Sequence, residues 1–136
     1  MTRAGTVVDS SVLLDVFTED PRWLAWSEDH LVEAAQHGAL ILNAVVLAEI
    51  APRFTRIEAL RAALPSMAVV EEIPAEASFL AGHAHAAYRR AGGARHAMLP
   101  DFLIGAHAAV TRRPLLTRDP RRVATYIPGA TIVSPD

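Results

Sequence analysis

The chain has 136 residues, no cysteine and a formal net charge of −2. That length suits a single domain, residues 1–136, with a core large enough to hold without staples. The missing cysteines exclude disulfides and thiolate metal sites, and the charge excludes a globally basic nucleic-acid binder.

The segment from Met1 to Gly5 is short and polar and leads straight into Thr6-Val7-Val8, so no secretory signal is expected. The longest apolar run, Ala44 to Ala48, falls far short of the roughly 20 residues of a membrane-spanning helix. A protein of the reducing cytoplasm, with no membrane contact, is the expectation. All 13 basic residues are arginines. Arg112, Arg113, Arg118, Arg121 and Arg122 crowd into one stretch near the C-terminus.

Thr6-Val7-Val8 is a β-rich run ending at Asp9 and predicts a buried first strand. Ser10 to Phe17 carries apolar residues at helical spacing. Pro21 suits the first turn of a second helix, from Arg22 to about His37, with Gly38 as its C-cap. Residues 39–42 read as a second strand, and Asn43 is a natural N-cap for a helix over 44–50. Arg53 to Leu64 reads as helix, stopped by Pro65. A third strand is predicted over 68–73, and Pro74 opens a long alanine-rich helix ending near Gly92-Gly93. A loop with Arg95 and His96 follows. Pro100 opens a further helix from Asp101 to about Val110. Residues 114–117 and 130–133 read as the fourth and fifth strands. Alternating strands and helices argue for a mainly parallel sheet covered on both faces. Such sheets place their sites beyond the carboxyl ends of the strands.

Four acids fall at those places. Asp9 ends the first strand, Glu49 lies on the helix after the second, Asp101 opens the helix before the fourth, and Asp119 follows that strand. Gathered along one edge, they would repel one another and raise their own pKa values. Divalent Mg²⁺ or Mn²⁺ relieves such repulsion through oxygen ligands. Two such ions can activate a water and stabilise the leaving oxygen of a phosphodiester. Taken singly, each acid has a plainer role. Asp9 could cap a helix, Asp101 could sit in a favourable helix dipole, Asp119 before Pro120 could make a turn, and Glu49 could be a solvated helix acid. The argument rests on the set.

The set and its surroundings resemble the PIN-domain family, especially toxin ribonucleases of the VapC type. The matching stretches are Val8-Asp9-Ser10-Ser11, Asn43-Ala44-Val45-Val46-Leu47-Ala48-Glu49, Leu99-Pro100-Asp101-Phe102-Leu103-Ile104-Gly105-Ala106-His107-Ala108 and Leu116-Thr117-Arg118-Asp119. The stretch around Pro100-Asp101-Phe102 is the most specific. The resemblance implies a three-layer α/β/α domain with a five-stranded, mainly parallel sheet. It implies Mg²⁺- or Mn²⁺-dependent RNA cleavage, a homodimer and inhibition by a cognate VapB-like antitoxin. Carried over by position, Asp9, Glu49, Asp101 and Asp119 match the metal-site acids, while Ser10 and Thr117 match supporting hydroxyl residues. Trp23, Trp26 and Phe54 could stack on bases, but such residues are more often core or partner surface. Because the family's neighbouring helices clamp the antitoxin, a partner groove is the favoured functional reading.

Hydrolysis by water needs no ribose 2′-hydroxyl, so 5′-phosphate and 3′-hydroxyl ends are expected. Arg118, Arg112, Arg113 and Arg95 are candidate RNA-phosphate contacts, because arginine forks match phosphate oxygens. His83 and His85, two apart on a helix, point to different sides and do not form a metal pair. His107, six after Asp101, lies too far round the helix to be an obvious co-ligand. A receiver domain or a haloacid-dehalogenase-like phosphatase needs a lysine, which this chain lacks. An RNA-processing nuclease of the same fold and a non-catalytic RNA- or partner-binding module remain open alternatives.

Overall fold

The computed structural model describes residues 4–93 and 98–135; Arg95 and His96 lie outside them. Five short strands form one sheet: β1 (Thr6–Val8), β2 (Leu40–Leu42), β3 (Ala68–Val70), β4 (Leu115–Leu116) and β5 (Ile132–Val133). Their order is β3-β2-β1-β4-β5 and every pairing is parallel. The three inner strands are fully buried. Apart from Thr6 their residues are all apolar, as a sheet covered on both faces demands. At the β3 edge, Val69 and Val70 remain exposed.

The helices are α1 (Ser10–Phe17), α2 (Leu24–Ala35), α3 (Ala44–Ile50), α4 (Ile57–Ala63), α5 (Ala75–Arg90), α6 (Leu99–Thr111) and α7 (Arg121–Tyr126). Among the described residues none is long and apolar enough to cross a membrane. The chain leaves β1 towards β2 on one side and returns to β4 on the other. This reversal of strand order opens a crevice at the carboxyl ends of β1 and β4.

Several boundaries differ from those predicted. The second helix starts two residues late because Asp20 Oδ1 accepts from the backbone N–H groups of Arg22 and Trp23, both at 2.9 Å, and holds them in a turn. Its C-cap is Gln36, not Gly38. Gly38 serves a close approach instead: at φ 151° a side chain there would meet the Gly5 nitrogen at 2.8 Å. The predicted helix over 53–64 is divided. A 3-10 turn, Ala51–Arg53, carries Pro52, and Phe54 is extended before α4 begins. The third strand ends at Val70 rather than at residue 73.

Helix α7 has no counterpart in the sequence reading. It is short, enclosed by Pro120 and Pro128, and held by packing. Phe102 of α6, Tyr88 of α5 and Tyr126 of α7 meet edge to face with centroids 5.6–5.8 Å apart. Gly105 lets α7 approach: a Cβ there would lie 2.6 Å from Val123 Cγ1. A branched side chain cannot swing away from such a contact. We therefore expect Gly105→Ala to cost about 1–3 kcal/mol, read as a lowered midpoint in urea unfolding. Pairing it with Val123→Ala should recover part of the loss, whereas an unchanged midpoint in the single variant would show that the helices have room.

Candidate active site

Asp9 follows β1 and Thr117 follows β4, so the crevice between them brings the two side by side. Thr117 Oγ1 donates to Asp9 Oδ2 at 2.8 Å, and Ser11 Oγ donates to the same oxygen at 2.7 Å. Asp9 occupies the N-cap position of α1 but makes no side-chain cap bond. Its carboxylate is spent on the crevice, not on the helix. Thr117 Oγ1 also accepts from the Asp119 N–H at 3.0 Å, which fixes the turn carrying that exposed acid.

Glu49 arrives from α3. Asn43 caps that helix as expected, its Oδ1 accepting from the N–H groups of Val45 and Val46 at 3.0 and 3.1 Å. Ser10 Oγ then donates to Glu49 Oε1 at 2.7 Å. Asp101 stands in the first turn of α6. Burial pushes its carboxyl from 3.8 up to about 7, and the charges of Asp9, Glu49 and Asp119 push the same way against a smaller opposing pull from Arg122. Burial also raises Glu49, the charge of Asp9 adds to it, and the Ser10 hydroxyl opposes it. The four acids therefore share one electrostatic site, assembled from four separate stretches of chain. Among the described residues no three His, Asp or Glu side chains are drawn together closely enough to hold an ion as they stand. The donor chemistry nonetheless fits a hard cation: carboxylate oxygens in mutual repulsion, two of them held by hydroxyls.

A cavity of about 760 Å³ opens beside this cluster, lined by Asp101, Asp119, Trp23, Arg118, Arg121, Arg122, Met98, Pro120, Val123 and Pro135. Arg118 is held there by a buried acid. Its Nε donates to both carboxylate oxygens of Asp15, at 2.9 and 3.1 Å, and Ser27 Oγ donates to the same carboxylate at 2.8 Å. The hydrogen bond to Asp15 raises the Arg118 guanidinium above its usual range. Its two terminal nitrogens have no hydrogen bond among the described residues.

Arg112 and Arg113 are not brought to this site. They lie at the far end of α6, about 16 Å along the axis from Asp101 at 1.5 Å per residue. Arg113 is buried, and its Nη1 donates to Glu71 Oε1 at 2.6 Å. Arg112 is the left-handed C-cap of α6 at φ 57°. The structure thus places these two candidate phosphate contacts away from the four acids, at and just beyond the C-cap of α6. Arg95 lies outside the described residues.

His107, fully buried, is no metal ligand but a strut. Asn43 Oδ1 is occupied by the cap bonds, so its Nδ2 faces His107 Nδ1 at 3.0 Å and must donate to it. The imidazole therefore carries its proton on Nε2 and donates to Glu71 Oε1 at 2.8 Å. This chain ties the start of the Glu49 helix to the Asp101 helix. Glu71 is held below the usual carboxylate range, chiefly by Arg113 and then by His107.

The sequence reading missed Asp15 and left Ser11 without a role. Their spacing was a usable signal, since residues four apart share a helix face and Ser11 already followed Asp9. It also left Trp23 between a partner surface and a stacking role; the structure seats Trp23 in the wall of the acid cavity.

These features define a class: a parallel α/β domain with an acid cluster at the switch point of its sheet. The chain belongs to the PIN-domain family, whose model matches residues 6–126, and PIN domains of the VapC kind are nucleases. Among curated proteins no sequence matches it. Its fold is similar to that of a chain in DNA-bound VapBC from Salmonella typhimurium, with a TM-score of 0.70 at 17% identity over 97% of this chain and 98% of that one. It is similar, at a TM-score of 0.69 and 17% identity over 95% and 97%, to a chain of VapBC2 from Rickettsia felis bound to a DNA fragment from their promoter. A chain of a toxin–antitoxin complex from Klebsiella pneumoniae matches at a TM-score of 0.65 and 23% identity over 97% and 98%.

The raised Asp101 predicts how stability follows pH in chelator. Below about 4, Asp101 is protonated in both folded and unfolded chains. Between about 4 and 7 only the folded chain holds the proton, so stability falls across that window as pH rises and stays lost above it. Melting of the wild type should therefore drop between pH 5 and 8 more steeply than that of Asp101→Asn, and the variant should melt higher at pH 8. Parallel profiles would show that the Asp101 carboxyl is not raised in the fold.

Proposed function

We propose that this chain is a Mg²⁺- or Mn²⁺-dependent endoribonuclease acting as the VapC-type toxin of a toxin–antitoxin pair. One observation carries the reading: the charges of Asp9, Glu49 and Asp119 all act on Asp101 across a single crevice. Such a concentration of like charge costs stability and is retained where it has chemical work to do.

Asp9, Glu49 and Asp101 would hold the cation, with Asp119 contributing from the cavity side. Bound there, the cation would supply Lewis-acid stabilisation of a phosphate and a lowered pKa for water. The chain's own residues do the rest. Ser11 and Thr117 fix the Asp9 carboxylate, and Ser10 fixes Glu49, so the oxygens need little reorganisation. Arg118, anchored through Nε, offers its free terminal nitrogens to a phosphate. Arg121 and Arg122, both exposed on the cavity wall, add positive charge along the strand's path.

The toxin assignment draws on the VapBC complexes whose chains share this fold. A VapB-like antitoxin and a second copy of the chain are the proposed partners. Exposed apolar side chains, Val32 on α2 and Ile57 on α4, give an antitoxin segment surface to bury.

Purified protein freed of antitoxin should cut RNA into discrete fragments with Mg²⁺ or Mn²⁺ and lose that activity in excess chelator. Asp101→Asn, though folded, should lose at least about a hundredfold in rate, within the range for removing one catalytic group. Fragment ends should carry 5′-phosphate and 3′-hydroxyl; a 2′,3′-cyclic phosphate would overturn the hydrolytic route. Cleavage that survives in the variant would overturn the site.

A further inference from the structure

We propose that Trp23 is a stacking subsite for one base of the RNA, placed beside the carboxylates. The proposal rests on the nuclease reading above and adds a base-binding residue to it.

Three observations lead there. First, the Trp23 indole lines the same cavity as Asp101 and Asp119, and it is the cavity's only aromatic wall among the described residues. Its volume of about 760 Å³ admits a nucleotide beside the acids. Second, the ring is held before any ligand arrives. Asp20 Oδ1 accepts from the Trp23 N–H at 2.9 Å and fixes the backbone, while Trp26 meets the ring edge to face at 6.5 Å. A side chain already fixed loses little entropy on binding. Third, two arginines flank the ring. The Arg118 guanidinium lies 5.7 Å from the Trp23 centroid, and that of exposed Arg22 lies 4.9 Å from it.

A planar cation over an indole marks a face to which a planar base also fits. Arg22 is exposed, does not line the cavity and carries no ion pair among the described residues, so it can turn from the ring to a phosphate. Arg118 cannot leave, because Asp15 holds its Nε. Phosphate grip and base platform are thus built into one wall, a nucleotide's reach from the acids. In a duplex the bases are stacked inside and cannot reach the ring; a single strand can splay one out.

The test is binding, kept apart from cleavage by using Asp101→Asn. The chain has two tryptophans, so adding Trp26→Phe leaves Trp23 as the sole emitter. The probes are a fluorescein-labelled 12-nucleotide single-stranded RNA, the same strand in duplex, and an unlabelled copy of the single strand for tryptophan emission. We expect the unlabelled single strand to quench Trp23 emission. In the anisotropy assay we expect Trp23→Ala to weaken single-strand binding by about tenfold. Trp23→Phe should keep most of the affinity, and duplex affinity should not change. The slope of affinity against salt should stay the same, since phosphate contacts are untouched. In the cleaving enzyme Trp23→Ala should raise KM and leave kcat near wild type.

Unquenched emission with bound RNA, or equal affinity in Trp23→Ala, overturns the subsite while leaving metal-dependent cleavage standing. A lower salt slope in Trp23→Ala also overturns it, because the residue would then act only by propping Arg118. Failure of every variant to bind RNA, with no cleavage by the wild type, overturns the nuclease reading and the subsite with it.

Discussion

Everything at the site depends on holding carboxylates closer together than their charges favour. The device is a set of hydroxyls at the switch point of the sheet. Asp9 Oδ2 takes two of them, from Ser11 on the helix after β1 and from Thr117 after β4, so one oxygen ties together both sides of the crevice. Hydrogen bonds to a charged acceptor are stronger than neutral ones, and here they fix the orientation of a largely buried carboxyl group. The strands can be only two or three residues long because the sheet does not have to position the acids alone.

A second level of organisation comes from ion pairs and hydrogen bonds that lie outside the acid cluster. Asp15 and Ser27 lock Arg118; Glu71 gathers Arg113 and His107; His107 reaches Asn43. Removing one partner of a buried pair leaves an uncompensated charge and costs far more than the pair contributes as a whole. These contacts therefore act mainly as constraints on geometry. The Asn43–His107 bond is the clearest case, because it joins the cap of the Glu49 helix to the body of the Asp101 helix. The same logic explains why clustered arginines in one sequence stretch diverge in role. Arg118 follows a strand and meets the crevice, whereas Arg112 and Arg113 precede that strand and face the opposite end of α6.

The strand positions, the Asn43 cap and the grouping of the four acids were legible in the sequence, because each depends on local pattern or on the rule that parallel sheets collect their sites at strand ends. The roles of the arginines were not. Arg118 pairs with Asp15 across 103 positions and Arg113 with Glu71 across 42, and no spacing rule reaches that far. Helix α7 was hidden for a different reason. A six-residue helix has little tendency to form on its own; Gly105 and the Phe102–Tyr88–Tyr126 cluster supply the reason to form. Asp15 was hidden by the apolar stripe it interrupts, since a buried acid is rational only once its partner is seen.

The cost of the site and its control are the same quantity. Burial of Asp101, together with the charges of Asp9, Glu49 and Asp119 around it, lowers the stability of the folded chain near neutral pH. Anything positive that binds the crevice in the folded state alone returns that stability by mass action. A divalent cation would do so, and so would a guanidinium or ammonium group presented by a partner. The two would compete for one charge hole, and a partner that fills it would stabilise the fold while emptying it of catalytic metal. A site built from mutually repelling acids is thus open to inhibition by charge, without any second site or change of shape.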